Sequence, residues 1–214
     1  MKTEEKQVQY TTTNSYSTLN ELTEKTKRVW LVFHGMGYLS RFFLKYFKDL
    51  NSEENYIIAP QAPSKYYIQP KMYVGANWLT KNNTKVDTKN ILNYIDAVLE
   101  IENLPNNRKI IVFGYSQGVS IATRYVASRK LSCEQIVLHS GGLPKELNAE
   151  DFSFLGVSCK VHLVYGEDDQ YLNEERMNYE EQRAKSLFSD KLNIHPFEGK
   201  HEVNIEFIKS LAKD

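Results

Sequence analysis

Short apolar runs punctuate the chain. Residues 29–33, 56–59, 110–113, 136–138 and 161–165 are rich in β-branched and aromatic side chains. Unbroken runs of this length suit strands buried on both faces, as in a parallel sheet. Between them the period changes. Phe42, Phe43, Tyr46, Phe47 and Leu50 recur at three- and four-residue spacing. Ile91, Leu92, Ile95, Val98, Leu99 and Ile101 do the same, as do Val119, Ile121, Ala122, Tyr125 and Val126. Each set makes one apolar stripe along a helix. A last strand over 192–197 and a helix over 203–211 complete the series. Alternating strands and helices predict an α/β fold, a mostly parallel doubly wound sheet with helices on both faces. Residues 7–15 alternate Val8, Tyr10 and Thr12 with polar neighbours and predict an exposed antiparallel edge strand. No repeat or Pro/Gly-rich linker divides the 214 residues, so a single domain over 1–214 is expected.

Charge narrows the function classes. Lys+Arg and Asp+Glu are both 27, a formal net charge of zero. That balance disfavours a nucleic-acid binder and a polybasic membrane anchor. No run approaches the roughly 20 apolar residues of a membrane span. The polar start, Met1-Lys2-Thr3-Glu4-Glu5-Lys6, has no apolar h-region behind it, so no secretory signal is expected. Cys133 and Cys159 lack zinc-ligand spacing and read as reduced thiols of a cytoplasmic protein. No metal and no cofactor are expected.

The glycines point to one sheet edge. Gly35, Gly37, Gly114, Gly118, Gly141, Gly142, Gly166 and Gly199, eight of ten, sit at or just after the C-terminal ends of the predicted strands. Open α/β sheets bind ligands along that edge.

Gly114-Tyr115-Ser116-Gln117-Gly118 fits G-x-S-x-G between a predicted strand and a predicted helix. A serine on such a turn projects its hydroxyl clear of the fold. The flanking glycines sit where strand and helix nearly touch. A serine nucleophile needs a base and an acid, expected in the order Ser, Asp/Glu, His. Among five histidines, His34, His139, His162 and His195 lie in or at the ends of predicted strands. Only His201 falls on a loop, after the last strand. Gly166-Glu167-Asp168-Asp169 follows the penultimate strand, and spacing favours Asp169 over Asp168 as the acid. The oxyanion hole needs two backbone N–H groups, assigned to Gln117 and to Met36 in His34-Gly35-Met36-Gly37.

With these pieces in place the chain resembles an α/β-hydrolase, most closely the phospholipase/carboxylesterase family that includes acyl-protein thioesterases. The matching stretches run in order: Val32-Phe33-His34-Gly35-Met36-Gly37, Ala59-Pro60-Gln61-Ala62-Pro63, Trp78, the Ser116 motif, Leu138-His139-Ser140-Gly141-Gly142-Leu143-Pro144, Gly166-Glu167-Asp168-Asp169 and Gly199-Lys200-His201-Glu202-Val203. Two departures stand out. Tyr165 precedes Gly166 where the family usually has His, and Leu79-Thr80 follows Trp78 where it usually has Phe-Asp. The resemblance implies a serine esterase or thioesterase that needs no cofactor.

The connection over 143–160 is too short for a multi-helix cap. Residues 60–81 carry Tyr66, Tyr67, Ile68, Met72, Tyr73, Val74 and Trp78, and read as a loop walling a substrate pocket with Gly35. A small-molecule ester of a small to medium acyl group is the expected substrate, and a monomer or homodimer the expected state. The rival readings are a lysophospholipase or acyl-protein thioesterase, a small peptidase, and a non-catalytic hydrolase-fold binding protein.

Overall fold

A computed structural model describes residues 2–105 and 108–213. In chain order the elements are β1 (Tyr16–Leu19), β2 (Arg28–Phe33), α1 (Ser40–Phe43), β3 (Asn55–Pro60), β4 (Ser64–Ile68), β5 (Tyr73–Asn77), α2 (Thr84–Glu102), β6 (Lys109–Tyr115), α3 (Gln117–Arg129), β7 (Gln135–His139), β8 (Lys160–Gly166), α4 (Glu174–Phe188), β9 (Leu192–Phe197) and α5 (Ile205–Leu211). Seven strands form one sheet in the order β1-β3-β2-β6-β7-β8-β9. All its neighbours are parallel except the edge pair β1–β3.

The unbroken apolar runs are explained by which cluster each residue joins. On β2, Val29, Leu31 and Phe33 pack in one cluster with α2, α3 and α4. Trp30 and Val32, between them, pack in the other with Phe43, Phe47 and the α5 residues Ile208 and Leu211. Both sheet faces are therefore covered, as the alternation of strands and helices predicts. Burying such a side chain fully contributes about 1.5–3 kcal/mol.

Three local expectations need correction. Residues 7–15 form no strand; pairing begins at Tyr16, which faces Pro60, the last residue of β3. Earlier residues have run past the end of their partner strand. Instead, the Asn14 side chain donates to Gln61 O at 2.7 Å. Residues 42–50 are not one helix: α1 passes into a 3₁₀ turn at Leu44–Phe47. Leu44, Phe47 and Leu50 are all buried, and their three-residue spacing matches three residues per turn. Residues 60–81 are not a plain loop, because β4 and β5 pair as an antiparallel hairpin beside the main sheet.

Candidate active site

Ser116 leaves β6 at φ 51°, ψ −119°, and α3 starts at the next residue. A non-glycine residue there is strained, and the surroundings over-determine it. Ser116 N–H donates to His139 O at 2.8 Å, and Val119 N–H to Ser116 O at 3.1 Å. The flanking glycines are required by space. A Cβ at Gly118 would lie 2.0 Å from Phe33 O, and one at Gly114 would lie 2.6 Å from Val119 Cα.

The C-terminal ends of β8 and β9 deliver two more groups. His201 Nε2 lies 3.0 Å from Ser116 Oγ, and His201 Nδ1 lies 2.6 Å from Asp169 Oδ2. This fits a neutral imidazole that donates from Nδ1 and accepts the serine hydroxyl proton at Nε2. Asp169 is 4% exposed, and its Oδ1 accepts from Tyr171 N–H at 2.8 Å and Leu172 N–H at 3.3 Å. Asp168 is exposed and has no such contact with His201; its N–H donates to Gly199 O at 2.9 Å. That bond, with Glu167 N–H to Phe197 O at 2.9 Å, ties the acid loop to the histidine loop. Gly166 lets them meet, since a Cβ there would stand 2.4 Å from Gly199 O and Lys200 O.

Buried neighbours hold the histidine loop. Tyr115 O–H donates to His201 O at 2.9 Å, and burial raises the phenol's pKa, keeping it a donor. His139 Nε2 accepts from Asn204 N–H at 2.9 Å, just before α5, while its Nδ1 faces Ser140 Oγ at 3.0 Å. Burial, aided by the nearby His201, lowers the His139 pKa to about 3. Tyr171, largely exposed, sets its ring edge-on to His201 at 4.8 Å.

On the opposite side runs the loop after β2. Gly35 brings it against the serine turn: a Cβ there would lie 3.2 Å from Ser116 Cβ. Gly37, at φ +86°, donates its N–H to Ala76 O at 2.8 Å, so the hairpin holds the loop. The side chain of Met36 is exposed. Gly75 permits this contact, because a Cβ there would be 2.6 Å from Gly37 O. Beneath the loop, His34 is fully buried; its Nδ1 faces Gly35 O at 2.8 Å and its Nε2 accepts from Ala62 N–H at 3.1 Å. Burial lowers its pKa to about 4.

The comparisons with known proteins agree with this architecture. The phospholipase/carboxylesterase family profile matches residues 14–213. The chain belongs to the phospholipase/carboxylesterase family. Solved structures share its fold at low identity. Zea mays acyl-protein thioesterase 2 superposes with a TM-score of 0.69 at 16% identity, over 94% of this chain and 97% of that one. A Dyadobacter fermentans phospholipase/carboxylesterase gives 0.65 at 18%, over 96% and 99%. The Bacillus cereus carboxylesterase gives 0.65 at 15%, over 94% and 92%. No curated protein matches the chain.

Within this phospholipase/carboxylesterase α/β-hydrolase fold, Ser116, His201 and Asp169 are brought together, with Gly35, Met36 and Gln117 beside the serine turn. Tyr73 is exposed on the hairpin. Trp78 corrects the expectation of an aromatic wall. It is 1% exposed, its indole N–H donates to His34 O at 2.8 Å, and its ring packs against Phe33 and His34. It braces the loop from beneath and presents no surface to a ligand. The Gln117 side chain, Tyr115, His139 and Tyr171 are contributors that the sequence reading did not single out. Only Asn204, a helix N-cap accepting from Phe207 N–H at 2.9 Å, carries a local signal.

Proposed function

We propose that this hydrolase cleaves carboxylic or thio esters of small to medium acyl groups through an acyl-enzyme on Ser116. The continuous hydrogen-bonded line from Ser116 Oγ through His201 to Asp169, starting on a strained serine, is the observation that carries the reading. His201 takes the Ser116 proton as Oγ adds to the carbonyl carbon, and Asp169 holds the imidazole and stabilises its cation. The tetrahedral oxyanion is met by the Met36 and Gln117 N–H groups. Collapse expels the alcohol or thiol, which receives the proton from His201. Water, deprotonated by the same histidine, then releases the acid and restores Ser116.

Acyl size follows from what covers the site. The β7–β8 connection carries only a 3₁₀ turn at Ala149–Phe152, and the β4–β5 hairpin holds the loop beside the serine turn through Gly37 and Ala76. Met36, Tyr73 and Tyr171 are exposed rather than packed into an enclosed tunnel, so the site suits a few methylenes rather than a long buried chain. The test is a panel of p-nitrophenyl esters and thioesters on wild type and Ser116→Ala. Hydrolysis by wild type, lost by at least a thousandfold in the variant, is expected; equal rates in both would overturn the reading.

A further inference from the structure

The edge of the sheet opposite Ser116 holds the only two cysteines of the chain. Cys159 immediately precedes β8, and Cys133 lies two positions before β7, with Glu134 between. The two strands are parallel neighbours with Gln135 opposite Lys160, and Lys160 N–H donates to Glu134 O at 3.0 Å. The ladder thus reaches the residues abreast of the cysteines. Neighbouring strands about 4.8 Å apart, offset by one residue, separate such Cα atoms by about 6 Å. A disulfide spans roughly 4.4–6.8 Å between Cα atoms. Cys159 belongs to the larger apolar cluster and Cys133 packs against the same cluster.

We propose that Cys133 and Cys159 are a modification site for peroxide, a dithiol that closes into an intramolecular disulfide. The two thiols have different roles. The neighbouring Cys133 thiol and the charge of Lys191 favour the Cys159 thiolate against burial, whereas the Cys159 thiol and burial raise the Cys133 pKa. The thiolate is the nucleophile of thiol chemistry. The Cys159 sulfur attacks one oxygen of hydrogen peroxide, the O–O bond breaks, and the products are a sulfenic acid and hydroxide, which is protonated to water. Cys133 then gives up its proton and attacks the sulfenic sulfur. The S–S bond forms and the S–O bond breaks, releasing a second water. Two thiols lose two electrons in all, and one peroxide gains them.

The bond would tie the N-terminal ends of β7 and β8, whereas Ser116 and Asp169 lie at the C-terminal ends of β6 and β8. Five residues of β7 put about 16 Å between the two edges. Oxidation should therefore stabilise the fold by constraining the unfolded chain and leave ester hydrolysis within about twofold.

The experiment treats reduced full-length protein with hydrogen peroxide near stoichiometry. The expected result is an intact monomer lighter by about 2 Da, loss of both titratable thiols, a peptide cross-linked between residues 133 and 159, a thermal midpoint higher by several degrees, and reversal by dithiothreitol. Cys133→Ser should instead accumulate a sulfenic adduct of about 16 Da, trapped by dimedone. Two thiols still titratable in the wild-type protein after peroxide, or oxidation that yields only cross-linked dimers, would overturn the proposal without bearing on the hydrolase reading.

Discussion

Gln117 holds the main chain of Trp78: its Oε1 accepts the Trp78 N–H at 2.9 Å. Its Nε2 donates to Asn77 Oδ1 at 2.6 Å and to Leu79 O at 2.8 Å. One side chain next to Ser116 therefore fixes the end of the hairpin, and the hairpin in turn holds Gly37 through Ala76. The residue after the serine contributes twice, with its N–H to the proposed oxyanion hole and with its amide to the loop carrying Met36.

Gln117→Ala keeps that N–H and removes all three side-chain bonds. The loop should loosen, lowering kcat/KM by about 10- to 100-fold, the scale of an ångström of misplacement. Steady-state kinetics on a short ester checks this, and unchanged kinetics would remove the positioning role from Gln117.

Asp169→Asn should lower kcat by about 10⁴-fold, as when a serine hydrolase loses the carboxylate that fixes its histidine tautomer. Asp168→Asn, altering an exposed side chain, should cost less than about threefold, its side chain making no contact with His201. Circular dichroism of both variants separates kinetic loss from unfolding. A reversed order of effect would assign the acid to Asp168.

His34 and His139 give the fold a defined pH dependence. Burial lowers their pKa values to about 4 and about 3, whereas an unfolded chain protonates histidine near 6.5. Stability is complete above about pH 6.5 and is lost as pH falls from there toward 4, because only the unfolded state takes up the protons. Two histidines make the slope about 3 kcal/mol per pH unit in that window. Urea unfolding between pH 7 and 5 reads it directly, and a flat unfolding free energy across the window would contradict the buried neutral assignment.

How much of this was legible in the sequence depends on range. The buried strands were readable because both sheet faces are covered, leaving runs such as 29–33 unbroken. The Ser116 turn was readable because the glycines it needs are fixed by contact with β2 and α3. Asp169 was separable from Asp168 only by spacing; the structure gives the physical difference, one carboxylate buried against two N–H groups and the other in water. The hairpin carried a weak signal, two β-rich runs around Gln69-Pro70-Lys71-Met72, and was missed because residues 60–81 were read as one loop. Trp78 misled, since an aromatic near a site reads as a wall until its burial is known. The Gln117 amide had no sequence signal, because its partners lie about 40 positions away and only folding brings them together.

Acyl length tests the short connection over the site, which carries only a 3₁₀ turn between β7 and β8. Each buried methylene contributes about 0.8 kcal/mol, so kcat/KM should climb roughly fourfold per carbon over the first few and then level off or fall. A p-nitrophenyl series from acetate to laurate is the measurement. A rise continuing to twelve carbons would mean that the hairpin closes over the chain.

Ser116 is the proposed nucleophile, on which the whole reaction depends. The most direct measurement is labelling of the intact protein with a fluorophosphonate, followed by peptide mapping. One adduct per chain, on Ser116, abolished in Ser116→Ala and slowed by orders of magnitude in His201→Ala, is the predicted result. A stable adduct on another residue with Ser116 unmodified would contradict it.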